Sequence, residues 1–216
     1  MERFKYGNAH HNSMVLNKIK EEFSLKEKIL KYLIENREKP KTILEISRVL
    51  NVDYKNTFQA IKSLSNFIYK EKFGNTNMIE IISKPSPEIF AVEQKRTKEF
   101  LNKIKALKLI QNDARELNYP FFIVLIFGSY AKKENTKNSD IDICIISDNK
   151  SKTEELISKL RLLPEKLEIH DFNTKEFESM LDTKKENLAK EIIKYNIILY
   201  GIENYYNLIS KWMKKE

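Results

Sequence analysis

Two carboxylates, Asp140 and Asp142, stand two residues apart at the start of the apolar run 141–146. On a strand, residues two apart face the same side, so both acids are presented to one spot. Like charges so placed are costly unless a cation neutralises them. Hard oxygen donors suit Mg²⁺ or Mn²⁺. Such ions clamp the attacking and leaving oxygens of an in-line phosphoryl displacement. Ten residues separate this pair from Gly128-Ser129, which closes the apolar run 121–127. A glycine there lets a phosphate approach the backbone. Ser129 adds a hydroxyl, Lys132 a cation, and the N–H groups of a following helix start can bind phosphate. In residues 166–172, Glu168 and His170 share one face and Asp171 takes the other. Glu168 is the candidate third metal ligand, or the general base that accepts the nucleophile's proton. His170 is the lesser candidate.

Gly-Ser, ten residues, then Asp-x-Asp resembles the polymerase-β-like nucleotidyltransferase superfamily. The likeness is strongest to its small prokaryotic branch, which includes the minimal nucleotidyltransferases of toxin–antitoxin pairs. It spans about residues 96–205 and extends to Lys190-Glu191-Ile192-Ile193 and Ile198-Leu199-Tyr200-Gly201, similar to that branch's closing helix and turn. The resemblance implies transfer of a nucleoside monophosphate from a nucleoside triphosphate to a hydroxyl, with release of pyrophosphate. It implies that Gly128 and Ser129 hold the triphosphate and that Asp140 and Asp142 hold the metals. Glu168 falls at the family's third acidic position, counted back from Phe177. Two positions depart from the pattern: Lys133 stands where the family usually has Gly, and Glu168 where it usually has Asp.

These residues need a scaffold, and the pattern supplies one. Residues 121–127, bounded by Pro120 and Gly128, read as a buried strand, 141–146 as a second and 166–172 as a third. Helices are predicted over 87–117, 152–163, 177–181, 186–199 and 203–214. Gly201 punctuates the last two. The result is a small mixed sheet flanked by helices.

The N-terminal part reads differently. Ser24 opens a helix with Glu27 three residues on, a capping-box spacing, and Leu25, Ile29, Leu30, Leu33 and Ile34 form its apolar stripe. Pro40 ends it. Thr42 opens a second helix, with Glu45 again at the capping-box position. Asn51-Val52-Asp53 turns into a third helix, about residues 53–66. Two β-prone stretches, 68–73 and 78–82, flank a turn at 74–77. Three helices and a hairpin match a winged helix. The middle pair is a helix-turn-helix, whose second helix would present Tyr54, Lys55, Asn56, Thr57, Gln59 and Lys62 to double-stranded DNA. Asn and Gln read adenine bidentately, and Lys supplies phosphate affinity. Lys70 and Lys72 sit on the wing.

The boundary falls at Lys84-Pro85-Ser86-Pro87. The expected architecture is α+β, with a winged helix over 1–86 and a nucleotidyltransferase domain over 87–216. The chain of 216 residues carries a net charge of +8, shared by both halves, which tolerates anionic partners. The longest apolar run is far below the ~20 residues of a membrane span. No signal-like stretch opens the chain, so a soluble, cytoplasmic protein is expected. Cys144 is the single cysteine and reads as a buried, inert thiol; His10-His11 reads as part of a polar terminus. Three functions are consistent with the pattern. One is an enzyme carrying a DNA-binding or dimerising module. The second is a DNA-binding regulator whose transferase domain senses nucleotide without turnover. The third is an antitoxin-like modifier of a partner protein.

Overall fold

Ser24 caps the first helix as its spacing requires. Its Oγ accepts from the Glu27 N–H, and the Glu27 carboxylate accepts from the Ser24 N–H at 2.7 Å. A cap of this kind contributes ~1 kcal/mol. The computed structural model describes residues 23–74 and 76–213, so His10 and His11 lie outside the described residues. Helix α1 (Leu25–Glu35) buries Ile29, Leu30, Leu33 and Ile34. A two-residue strand, β1 (Lys41–Thr42), precedes α2 (Ile43–Leu50), and α3 (Tyr54–Ser63) follows. Strands β2 (Ile68–Phe73) and β3 (Thr76–Ile81) form a hairpin, giving an antiparallel sheet of order β1-β3-β2. Strand β1 carries no periodic signal; it exists because Lys41 and Thr42 pair with Ile79 and Met78. Thr42 does cap α2, but Glu45 does not close the box: its carboxylate accepts from the Tyr32 hydroxyl at 3.0 Å.

The second part holds a four-stranded mixed sheet of order β6-β5-β4-β7. Strand β4 (Ile123–Ile126) lies antiparallel to both β5 (Ile141–Ile146) and β7 (Ile197–Tyr200), while β6 (Leu167–Phe172) runs parallel to β5. Two predicted helices are corrected here. The 87–117 segment is two helices, α4 (Pro87–Lys103) and α5 (Leu107–Glu116). A straight helix of that length would run ~45 Å. Breaking at Ile104 lets α4 lie along α1 and β7 while α5 buries Leu107, Ile110 and Ala114 against the sheet. The 186–199 segment is helix α9 (Leu188–Lys194) followed by β7. Ile197, Ile198 and Leu199 are a short buried β-prone run, which periodicity alone does not separate from a helix end.

Helix α7 (Lys150–Leu160) joins α5 over one face of the sheet, on Val124, Ile126, Ile143 and Ile145. Helices α8 (Thr174–Asp182), α9 and α10 (Ile202–Met213) cover the other, on Ile123, Leu125, Phe127, Cys144 and Ile146. That second cluster is continuous with the core of the N-terminal part, through Ile89 and Val92 of α4. The Pro85–Pro87 break is therefore a break in the chain and not in the packing. Ser86 accepts from the Ile89 N–H and caps α4 at this junction. Cys144 is buried, and burial pushes its thiol well above the ordinary range, consistent with an inert core residue. Among the described residues no helix is long and apolar enough to cross a membrane.

Candidate active site

Strand β4 delivers Phe127 to the turn at Gly128, and the five-residue helix α6 (Gly128–Lys132) begins there. Gly128 has φ +62, and a Cβ on it would lie 1.9 Å from Asp142 Oδ2. The space a side chain would take here is occupied by the Asp142 carboxylate, so the turn can pass this close to the acid only as glycine. The Phe127 N–H donates to the Asp142 carbonyl at 3.1 Å, and the Ser129 backbone amide favours the charged form of that carboxylate. The Gly-Ser turn and the second aspartate are thus one built unit. Helix α6 is too short for a substantial macrodipole, so its contribution is the turn's local N–H groups.

Asp142 pairs in register with Glu168 on the parallel neighbour β6, and Cys144 with His170. Alternation places Asp142, Glu168 and His170 on one face, beside the α8–α10 layer. Burial raises the Asp142 carboxyl above the usual range, and the charges of Glu168 and Glu191 push it further; His170 and the Ser129 N–H oppose them. Glu168 Oε1 lies 3.2 Å from His170 Nε2, and the His170 ring meets Phe127 edge-on at 5.5 Å. Asp140 is exposed, immediately before β5. Among the described residues, no group of three or more His, Cys, Asp or Glu side chains stands ready as a metal cage. The donors present nevertheless fit a hard cation in kind. A partly buried carboxylate faces a second across adjacent parallel strands, which is the repulsion a divalent ion relieves.

Lys132 does not stand open to a ligand. Its ammonium donates to Glu191 Oε1 of α9 at 2.6 Å and lies 5.3 Å from the Tyr195 ring centroid. The Glu191 carboxylate raises the Lys132 pKa. Glu191 is the acid that motif reading passed over. The 190–193 segment was legible as a closing helix, but a contact across 59 residues carries no spacing signal. Lys133 reaches Glu35 on α1 at 2.8 Å. Tyr130 packs into the core beneath α6. A cleft of about 850 Å³ lies away from the carboxylates, between α4, α5 and residues 199–204.

A family model described as "Polymerase beta, Nucleotidyltransferase" matches residues 93–205, just over half of the chain. The chain belongs to this nucleotidyltransferase family. The match begins within α4 and ends within α10, so it takes in the whole four-stranded sheet and leaves the first three helices and the hairpin outside. Over 100 residues the chain is also 31% identical to a protein of Methanocaldococcus jannaschii named "Putative protein adenylyltransferase". That alignment covers 44% of this chain and 72% of the relative. No solved structure matches the chain. Within the nucleotidyltransferase domain, Gly128, Ser129, Asp142 and Glu168 are brought together by backbone hydrogen bonds and strand register. Asp140 stands at the rim and Lys132 is held to one side by Glu191.

Of the residues expected to meet DNA, Tyr54, Lys55, Asn56, Gln59 and Lys62 are exposed on α3. Thr57 is not: it is fully buried, with its hydroxyl donating to the Asp53 carbonyl at 3.0 Å. The correction follows from helical spacing: Thr57 stands three and four residues before Ala60 and Ile61 and so shares their inward face. The Asn56 side-chain amide is also engaged, donating to the Asp53 carboxylate.

Proposed function

We propose that the protein is a metal-dependent nucleotidyltransferase that moves a nucleoside monophosphate from a nucleoside triphosphate to a hydroxyl acceptor. The observation that carries the reading is the Gly128–Ser129 turn seated against Asp142, itself opposite Glu168. Asp140 and Asp142, with Glu168, are the residues that would hold Mg²⁺ or Mn²⁺. An ion held there supplies charge neutralisation between the carboxylates and the triphosphate. Gly128 and Ser129 bind and orient the phosphates through the turn. The acceptor oxygen attacks the α-phosphorus, the bond from that phosphorus to the bridging oxygen breaks, and pyrophosphate leaves. Glu168, exposed beside His170, takes the acceptor's proton. Because the M. jannaschii relative is named for protein adenylylation, a protein side-chain hydroxyl is the acceptor class we put first.

The N-terminal part is proposed to be a winged helix that binds double-stranded DNA. Support comes from the order α1-β1-α2-α3-β2-β3 and the outward set Tyr54, Lys55, Gln59 and Lys62 on α3. Lys70 and Lys72 on β2 extend the same positive surface.

The test is label transfer. Each α-labelled nucleoside triphosphate is incubated with Mg²⁺ or Mn²⁺ and with protein, RNA and small-molecule acceptors. Transfer with pyrophosphate release, lost in Asp140→Asn and Asp142→Asn, is the expected result. Nucleotide binding without transfer to any acceptor would favour a nucleotide-sensing regulator. The observation behind that second reading is that Lys132 and Lys133 are both already paired with carboxylates.

A further inference from the structure

We propose that Glu35, at the end of α1 in the N-terminal part, is a positioning residue for the Gly128–Ser129 turn, acting through Lys133. This rests on the nucleotidyltransferase reading. Lys133 occupies the position where the resemblance leads one to expect glycine, and its backbone is left-handed, with φ +64 and ψ 29. A residue with a Cβ gives up ~1–2 kcal/mol there. Glycine would relieve that strain, so the lysine side chain needs a reason to be present.

Its contacts supply one. The Lys133 N–H donates to the carbonyls of Ser129 and Tyr130, and the Glu134 N–H donates to the Ser129 carbonyl at 2.9 Å. The loop leaving α6 is therefore folded back onto Ser129 itself. From that loop, the Lys133 ammonium donates to Glu35 Oε2 at 2.8 Å. Glu35 in turn lies 3.6 Å from Arg96 Nε. Arg96 is paired with the fully buried Glu93, which accepts from the Tyr206 hydroxyl at 2.6 Å and lies 3.8 Å from Arg37. Burial works against the charge on Glu35, yet the Lys133, Arg96 and Lys31 cations hold its carboxyl below the usual range. A chain of paired acidic and basic side chains thus runs from the buried core, through α1, to the loop that folds back on Ser129.

The surroundings isolate this tie. Clefts of about 310 and 270 Å³ open on its two sides, and Glu35, Arg96 and Lys133 line both. With open space on either flank, the Lys133 side chain is well exposed. The ion pair with Glu35 sets where the loop rests against α1. The N-terminal part then contributes to the geometry of the nucleotide site without touching nucleotide.

The test is a double-mutant cycle on the full chain: Glu35→Gln, Lys133→Gln and the pair together. Two readouts are taken, Mg-nucleoside-triphosphate affinity by a fluorescent analogue and amide hydrogen exchange over residues 128–139. Thermal melting checks that each variant folds. Each single change is expected to weaken nucleotide binding about two- to fivefold, the range of an exposed ion pair. Each is also expected to speed exchange over residues 133–139. The double variant should be no worse than either single one, since both remove the same tie. Wild-type affinity and exchange in Glu35→Gln would overturn the proposal, as would effects that add in the double variant. If the wild type binds no nucleotide, the nucleotidyltransferase reading fails. Exchange then decides the tie alone, with unchanged rates in Glu35→Gln counting against it.

Discussion

The Gly128–Ser129 turn, proposed to hold a triphosphate, and the outward face of α3, proposed to meet DNA, are held in opposite ways. At the turn, backbone hydrogen bonds and strand register fix the key atoms. The Phe127 N–H donates to the Asp142 carbonyl, and Gly128 packs so closely on the Asp142 carboxylate that no space is left for a Cβ. On α3, the inner face is fixed by Thr57, Ala60 and Ile61, while the outward set is exposed and held only locally, Asn56 by Asp53 and Tyr54 by Phe58. Chemistry at a phosphorus needs placement to a fraction of an ångström, whereas counter-ion release from DNA needs only positive charge within reach. The first region should therefore respond to change steeply and the second by degrees.

Several substitutions would break or sharpen that contrast. Asp142→Asn has the largest expected effect, a loss of at least ~100- to 1000-fold in nucleotidyl transfer, the range for removing one preorganised electrostatic partner. Pyrophosphate release measures it, and DNA affinity should not change. Gly128→Ala comes next. The added methyl overlaps Asp142 Oδ2 and must also adopt φ +62, so ~2–3 kcal/mol of stability or more should go, seen in denaturant melts. Survival of this variant with native stability would mean that the turn is not the rigid unit described.

On α3, Lys55→Ala and Lys62→Ala should each weaken duplex DNA binding several-fold and lower the salt slope by ~1, leaving transfer intact. Thr57→Val separates the two faces of the same helix. It should cost ~1 kcal/mol of stability for the lost hydrogen bond to Asp53 and leave the salt slope unchanged. The smallest effect concerns pH. Burial raises the Asp142 carboxyl, with Glu168 and Glu191 adding to it. An acid whose folded pKa lies above its unfolded value of ~3.9 loses stability as pH rises through that interval. Glu168→Gln should accordingly raise stability at neutral pH, by ~1 kcal/mol or less because both groups are partly exposed, and give no gain near pH 3, as read from denaturant melts at the two pH values.

The two regions were also unequally legible in the sequence. Gly128-Ser129 and Asp140-x-Asp142 carry their meaning in spacing, because a strand, a tight turn and a returning strand leave few other ways to satisfy it. The Ser24 capping box and the α1 stripe were legible for the same local reason. What escaped notice depends on contacts distant in sequence. The split between α4 and α5, the conversion of residues 197–200 into β7, and the Lys132–Glu191 and Lys133–Glu35 pairs are set by packing across the fold. Thr57 was misplaced although its position was legible: it stands three and four residues before Ala60 and Ile61, the spacing of one helix face, so its polar side chain is turned inward with them.

The most direct test of the central claim is pyrophosphate release from a nucleoside triphosphate, titrated with Mg²⁺ or Mn²⁺ in the presence of candidate protein acceptors, for wild type and Asp142→Asn side by side. Metal-dependent release by the wild type, lost in the variant, is the predicted result. Release that is insensitive to metal, or equal in the two proteins, would contradict the assignment of the Gly128–Asp142 unit as the reacting centre.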